Sequence, residues 1–206
     1  MYLTAALVPP DRITAAARDA AVAASERLPR LRLTERWDDV VSVPSFLPSP
    51  TPWEALPLDR MDAELARFGY VAPDEVATMR RIVAGLIAPH DAFTVSLGGS
   101  VRVDHVRRLV LLGVQGETDR LETVFDALHA SVHRAGFARD RRRFRPMVPV
   151  LSFGPHLRLG ELVRTVEALE GYVSDPWSVT SIGLVHRELS SRDARPTELD
   201  RLPLSA

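Results

Sequence analysis

No cysteine occurs in the 206 residues, and neither does lysine or asparagine. The first absence removes disulfides, thiol nucleophiles and thiolate metal sites together. The second makes all 26 basic side chains arginine. Codons for Lys and Asn are AT-rich, so a GC-rich bacterial genome accounts for this, and an arginine count alone carries little weight. A strong charge of one sign is also missing, since the net formal charge is −1. No window approaches about eighteen uninterrupted apolar residues. The opening MYLTAALVPP has no basic leader and too short an apolar run for a signal peptide, so a cytoplasmic location without a membrane span is expected. What is present, 46% hydrophobic residues, suffices for a sizeable core in one domain or two closely packed lobes.

Periodicity suggests the order of elements. YLTAALV reads as a strand, and PDRITAAARDAAVAASERL as a helix with Ile13, Ala17, Ala20, Ala24 and Leu28 on one face. RLRLT and DVVSVPSF read as short strands, and five prolines between Pro44 and Pro57 then mark an irregular connection. Leu58, Met61, Leu65 and Phe68 suggest one helix, and Val76, Met79, Ile82, Val83 and Leu86 a second that opens at Pro73. AFTVSL and RRLVLLGV read as strands joined by a Gly98-Gly99 turn. A helix striped by Leu121, Val124, Phe125, Leu128 and Val132 follows, ending at Gly136. Next come the strand in RRRFRPMVPVLSF and a helix striped by Leu159, Leu162, Val163, Val166 and Leu169. The strands PWSVTSIGLVHREL and TELDRLPL close the chain. The succession implies an α+β fold with mainly antiparallel sheets that passes twice through a strand, helix, strand unit.

Two of these strands carry a Val-Pro pair, at Val43-Pro44 and Val148-Pro149, although proline cannot donate to a sheet ladder. The segments ALVPP, FTVSLGG, RRLVLLGV, RAGF and FRPMVPVL, in this order and spacing, resemble the 2H phosphoesterases, in particular the bacterial branch of 2'-5' RNA ligases and RNA 2',3'-cyclic phosphodiesterases. The resemblance spans nearly the whole chain. It implies a two-lobed, pseudo-twofold architecture in one domain over 1–206, from which a Pro-rich helical insertion expected at about 48–90 departs. It also implies two His-x-Thr-x motifs facing a cleft, where one His takes a proton from water, the other protonates the leaving ribose oxygen, and the Thr hydroxyls hold the phosphate.

This chain departs from that pattern at the motifs. Met147 stands at the second His position and Pro149 at the second Thr position. In the first motif, aligning the Val-Pro pairs puts Ser42 and Pro44 at those positions, whereas a one-residue shift puts Val41 and Val43 there. A thioether cannot shuttle protons, an unactivated Ser is a poor acid or base, and proline offers phosphate no donor. The expected catalytic set is therefore empty, with no cofactor and no metal.

Ser42, Ser45, Arg145, Met147, Ser152 and His156 are the candidates for ligand contact. Among the histidines, His129 and His133 have i, i+4 metal-ligand spacing without an acidic partner and read as a surface or boundary pair. His90 and His105 read as loop residues, and His186 could face either cleft or core. His156 lies just past the degenerate motif, and its ordinary reading is a loop residue before a helix. Arg134 through Arg145 hold six arginines and one acid, either a footprint for phosphates or a solvated loop.

Three functions follow in order. The first is a catalytically degenerate relative binding a small ligand or protein partner in a less polar cleft. The second is an active metal-independent cyclic phosphodiesterase using other residues, with RNA as the partner implied by the resemblance. The third is a structural or assembly protein with a filled cleft.

Overall fold

The computed structural model of the chain describes residues 1–26, 52–134, 143–188 and 195–205. Its elements are β1 (Tyr2–Leu7), α1 (Asp11–Glu26), β2 (Trp53–Ala55), β3 (Ala63–Tyr70), α2 (Val76–Ile87), β4 (Phe93–Asp104), β5 (Leu109–Gly116), α3 (Thr118–Arg134), β6 (Met147–Phe153), α4 (Leu159–Glu170), β7 (Trp177–Val179), β8 (Ser181–Arg187) and β9 (Thr197–Pro203). The fold is α+β, as expected. The strands form two sheets, ordered β3-β1-β8-β9 and β2-β6-β5-β4-β7, and every pairing within them is antiparallel.

An internal duplication is written into this order. β1-α1-β3-α2 in the first half repeats as β5-α3-β6-α4 in the second. In each sheet the leading strand of the unit has the unit's second strand on one side and an antiparallel strand from outside the unit on the other, β8 or β4. The helices exchange sides in a matching way, because α1 packs on β6 and α4 while α3 packs on β3 and α2. β3 is therefore the counterpart of β6. Each half buries its apolar helix stripe against the other half, which joins both sheets through one continuous core including Leu3, Leu7, Leu97, Leu112, Leu128 and Leu151.

Three expectations are corrected here. The stripe Leu58, Met61, Leu65 and Phe68 is not a helix, since it runs through a 3-10 turn at Leu58–Arg60 into strand β3. The reason is that β3 pairs with β1 through two register shifts, between Leu3 and Thr4 and between Ala5 and Ala6. An extra residue at each bulge breaks the two-residue alternation, so Leu65, Ala66 and Phe68 are buried while Glu64 and Arg67 share the opposite face. The helix opening at Pro73 is present as α2, preceded by a 3-10 turn. β3 and α2 both fall within residues 48–90. The strands expected in RLRLT and DVVSVPSF lie outside the described residues.

Gly98-Gly99 is not the hairpin turn. Both sit within β4 with positive φ, 129° and 71°, at a register shift between Leu97 and Val101. The reversal comes at residues 105–108, where Asp104 Oδ1 accepts from the amides of Val106 and Arg107 at 3.0 and 2.9 Å. A Cβ built at Gly98 would lie 2.0 Å from the carbonyl oxygen of Tyr172. Gly98→Ala should therefore destabilise the protein by more than about 1 kcal/mol, read as a lower urea midpoint with an unchanged slope.

The third correction concerns PWSVTSIGLVHREL, expected as one strand. Its two parts fall in different sheets, β7 beside β4 and β8 between β1 and β9, so the chain crosses from one half to the other at Thr180.

Candidate functional site

Because α1 and α3 occupy the outer faces, the other faces of the two sheets look at each other across an open cleft of about 1180 Å³. The two walls differ in chemistry. On one, β6 presents Met147 and Pro149, and β5 adds Leu109 and Leu111. Leu111 pairs with Pro149, and Leu109 with Ser152, on either side of a register shift. β2 reaches only Leu151 to Phe153. Pro149 thus lies beside a bulge and, among the described residues, on a stretch with no strand on its other edge, places where a missing N–H is tolerated.

The facing wall is charged. Asp62, just before β3, and Glu64 within it both line the cleft. Arg187, at the end of β8, lies opposite Tyr2 of β1. Its Nη2 donates to Asp62 Oδ1 at 2.6 Å and its Nε to Thr4 Oγ1 at 3.1 Å, and Nε also lies 3.6 Å from Glu64 Oε2. Arg67 Nε donates to Glu64 Oε1 at 2.5 Å. Asp62 is only 8% exposed and Thr4 fully buried. Burial raises the Asp62 carboxyl above its ordinary 3.8, Arg187 opposes that rise through charge and hydrogen bond, and Glu64 and Glu198 add to it.

Arginines not tied to this network ring the second-half side. Arg102 of β4, Arg107 of the hairpin, and Arg143 and Arg145 ahead of β6 all line the cleft and are exposed. The ion pairs found among the described residues use other arginines. The cleft is thus less polar on its β6 wall only, and Arg145 is one of four cations there.

The same fold recurs in solved structures. A Thermus thermophilus protein, TT0787, superposes with a TM-score of 0.64 at 17% identity, covering 98% of this chain and 97% of its own. Escherichia coli LigT complexed with 3'-AMP gives 0.64 and 17%, covering 100% and 98%. A structure described as a phosphoesterase gives 0.63 and 20%, again covering 100% and 98%. The chain has the 2H phosphoesterase fold. No family model matches the sequence, and no curated protein does.

Within this fold the anticipated residues separate. Arg145, Met147 and Pro149 line the cleft. Ser152 instead donates to the carbonyl of Glu54 on the edge strand β2, at 3.3 Å, and His156 is exposed in the turn after β6. Neither is a cleft-lining residue. Ser42, Pro44 and Ser45 lie outside the described residues, as do Val41 and Val43.

No histidine lines the cleft among the described residues. His129 donates from Nε2 to the Leu65 carbonyl at 3.0 Å and stacks on Phe125 with ring centroids 3.9 Å apart, fastening α3 to β3. His186 pairs with Leu3 on the core face of β8. Among the described residues no cluster of three or more metal-ligating side chains occurs, and no helix is long and apolar enough to cross a membrane.

Sequence reasoning missed Asp62, Glu64, Thr4 and Arg187. One signal could have found the first two: in each half a strand comes immediately before a helix, β6 before α4 and β3, in MDAELARFGY, before α2.

Proposed function

We propose that this chain is a catalytically degenerate protein of the 2H phosphoesterase fold that uses its central cleft to bind a ligand. The carrying observation is what opens the two corresponding strands: Met147 and Pro149 at the start of β6, and Asp62 and Glu64 at the start of β3. On this reading Asp62 and Glu64, not Ser42 and Pro44, stand at the first motif.

Hydrolysis of a cyclic phosphodiester needs a base on one side of the phosphorus and an acid on the other. One wall offers only a thioether and a pyrrolidine ring. The other offers carboxylates already held by Arg187 and Arg67. The cleft nonetheless remains open and larger than many small-molecule sites, which favours ligand binding over a filled, purely structural role.

LigT has been crystallised with 3'-AMP, NADP+ and ATP, so nucleotides are the natural first competitors in binding assays. The test of catalytic degeneracy is incubation with adenosine 2',3'-cyclic phosphate followed by chromatography. Ring opening at the buffer rate is expected. Multiple turnover that is lost in Asp62→Asn would overturn the reading and establish an active phosphodiesterase.

A further inference from the structure

The distribution of charge in the cleft points to a class of ligand. The β3 wall is internally neutralised, Asp62 by Arg187 and Glu64 by Arg67, so it presents little net field. On the second-half rim Arg102, Arg107, Arg143 and Arg145 form no ion pair among the described residues, and Asp104 beside them accepts from the amides of Val106 and Arg107. Between these lies an apolar surface of Leu109, Leu111, Met147 and Pro149, with Phe125 and Phe144 packed edge to face beside it at 5.3 Å between centroids.

The apolar side chains have no strong donor or acceptor with which to read the edge of a nucleobase. They reward burial of a hydrocarbon body, while the arginine rim rewards an anionic end through charge-assisted, bidentate hydrogen bonds. We infer that the cleft binds an amphipathic anion, an aliphatic or aryl body ending in a carboxylate or phosphate, with the body on the β5-β6 wall and the anion at Arg143 and Arg145. This rests on the non-catalytic reading above and gives that reading its ligand chemistry.

The inference is tested by calorimetric titration of the full chain with hexanoate, octanoate and decanoate below their micellar concentrations, and with decyl phosphate, decyltrimethylammonium, inorganic phosphate and 3'-AMP. Each buried methylene should tighten binding about fourfold, so decanoate should bind roughly 10²-fold tighter than hexanoate. Decyl phosphate should bind as well as decanoate or better, and decyltrimethylammonium should not bind.

The double variant Arg143→Ala, Arg145→Ala alters exposed side chains only and should weaken decanoate at least tenfold. Met147→Asp should abolish the chain-length dependence, with circular dichroism confirming that it is folded. Affinity independent of chain length, equal binding of the cationic amphiphile, tighter binding of phosphate or 3'-AMP than of decanoate, or no loss in the arginine variant would each overturn the inference.

The cyclic phosphate assay separates the two failures. No decanoate binding together with no hydrolysis removes the ligand class but leaves the non-catalytic reading intact. Hydrolysis removes that reading whatever decanoate does.

Discussion

Adenosine 2',3'-cyclic phosphate mixed with the purified protein should persist as long as it does in buffer. A positioned general acid or base contributes typically 10²- to 10⁴-fold, so an enzyme using one of each stands roughly 10⁴- to 10⁸-fold above the same scaffold without them. The β6 wall opens with Met147 and Pro149, neither of which titrates, and on the proposed reading forfeits its share outright. Asp62 on the other wall has a raised pKa, but its carboxylate faces a guanidinium at 2.6 Å that stabilises the charged form. A lone acid without an opposed base supplies at most about 10⁴-fold, and the Asp62 carboxyl, bound to Arg187, is not free to supply even that. The assay should therefore give a rate within error of the no-protein control, equal for the native chain and Asp62→Asn. A rate many orders above the control would mean that the proton-transfer groups come from elsewhere in the chain.

Arg187→Ala should be the most destabilising single change in the cleft. It would leave the Asp62 carboxylate, 8% exposed, without its counter-ion, and would remove the donor to the buried Thr4 hydroxyl. Breaking a buried ion pair from one side costs about 3–5 kcal/mol. Asp62→Leu combined with Arg187→Met should cost far less, because no charge is then left buried.

The loss should also depend on pH. With its pKa raised above the ordinary 3.8, Asp62 takes up its proton more readily folded than unfolded. Its contribution favours the folded state fully below about pH 4 and fades as pH rises through the folded pKa. Arg187 restrains that rise, so removing it moves the folded pKa further up and widens the window. The gap in stability between native and Arg187→Ala protein should be largest near neutrality and shrink as the pH is lowered toward 4. Urea denaturation at several pH values would measure it, and a gap independent of pH would show that Asp62 is not the group left stranded.

The other two halves of the charged wall illustrate why tertiary contacts matter for such arguments. Glu64 and Arg67 are three residues apart, a spacing that an ordinary strand would place on opposite faces. They pair because the bulge in β3 adds one residue between them. The same bulge made the segment look helical to a periodicity argument.

Most of the regular elements were readable from residue order alone. α3 buries Leu121, Val124, Phe125 and Leu128 as its stripe suggests, and α2 begins just after Pro73, because a helix that covers a sheet must repeat its apolar residues near 3.6. That Met147 and Pro149 bring no titratable group to β6 was equally legible, since a side chain's proton chemistry is independent of its surroundings when it has no titratable group at all. What the tertiary structure decided was pairing. Only the sheet order makes β3 the partner of β6, brings Arg187 from the far end of the chain onto Asp62, and leaves four arginines facing an apolar wall. Such contacts join residues up to 183 positions apart, and no local pattern encodes them, because they arise from which faces two packed halves turn toward each other.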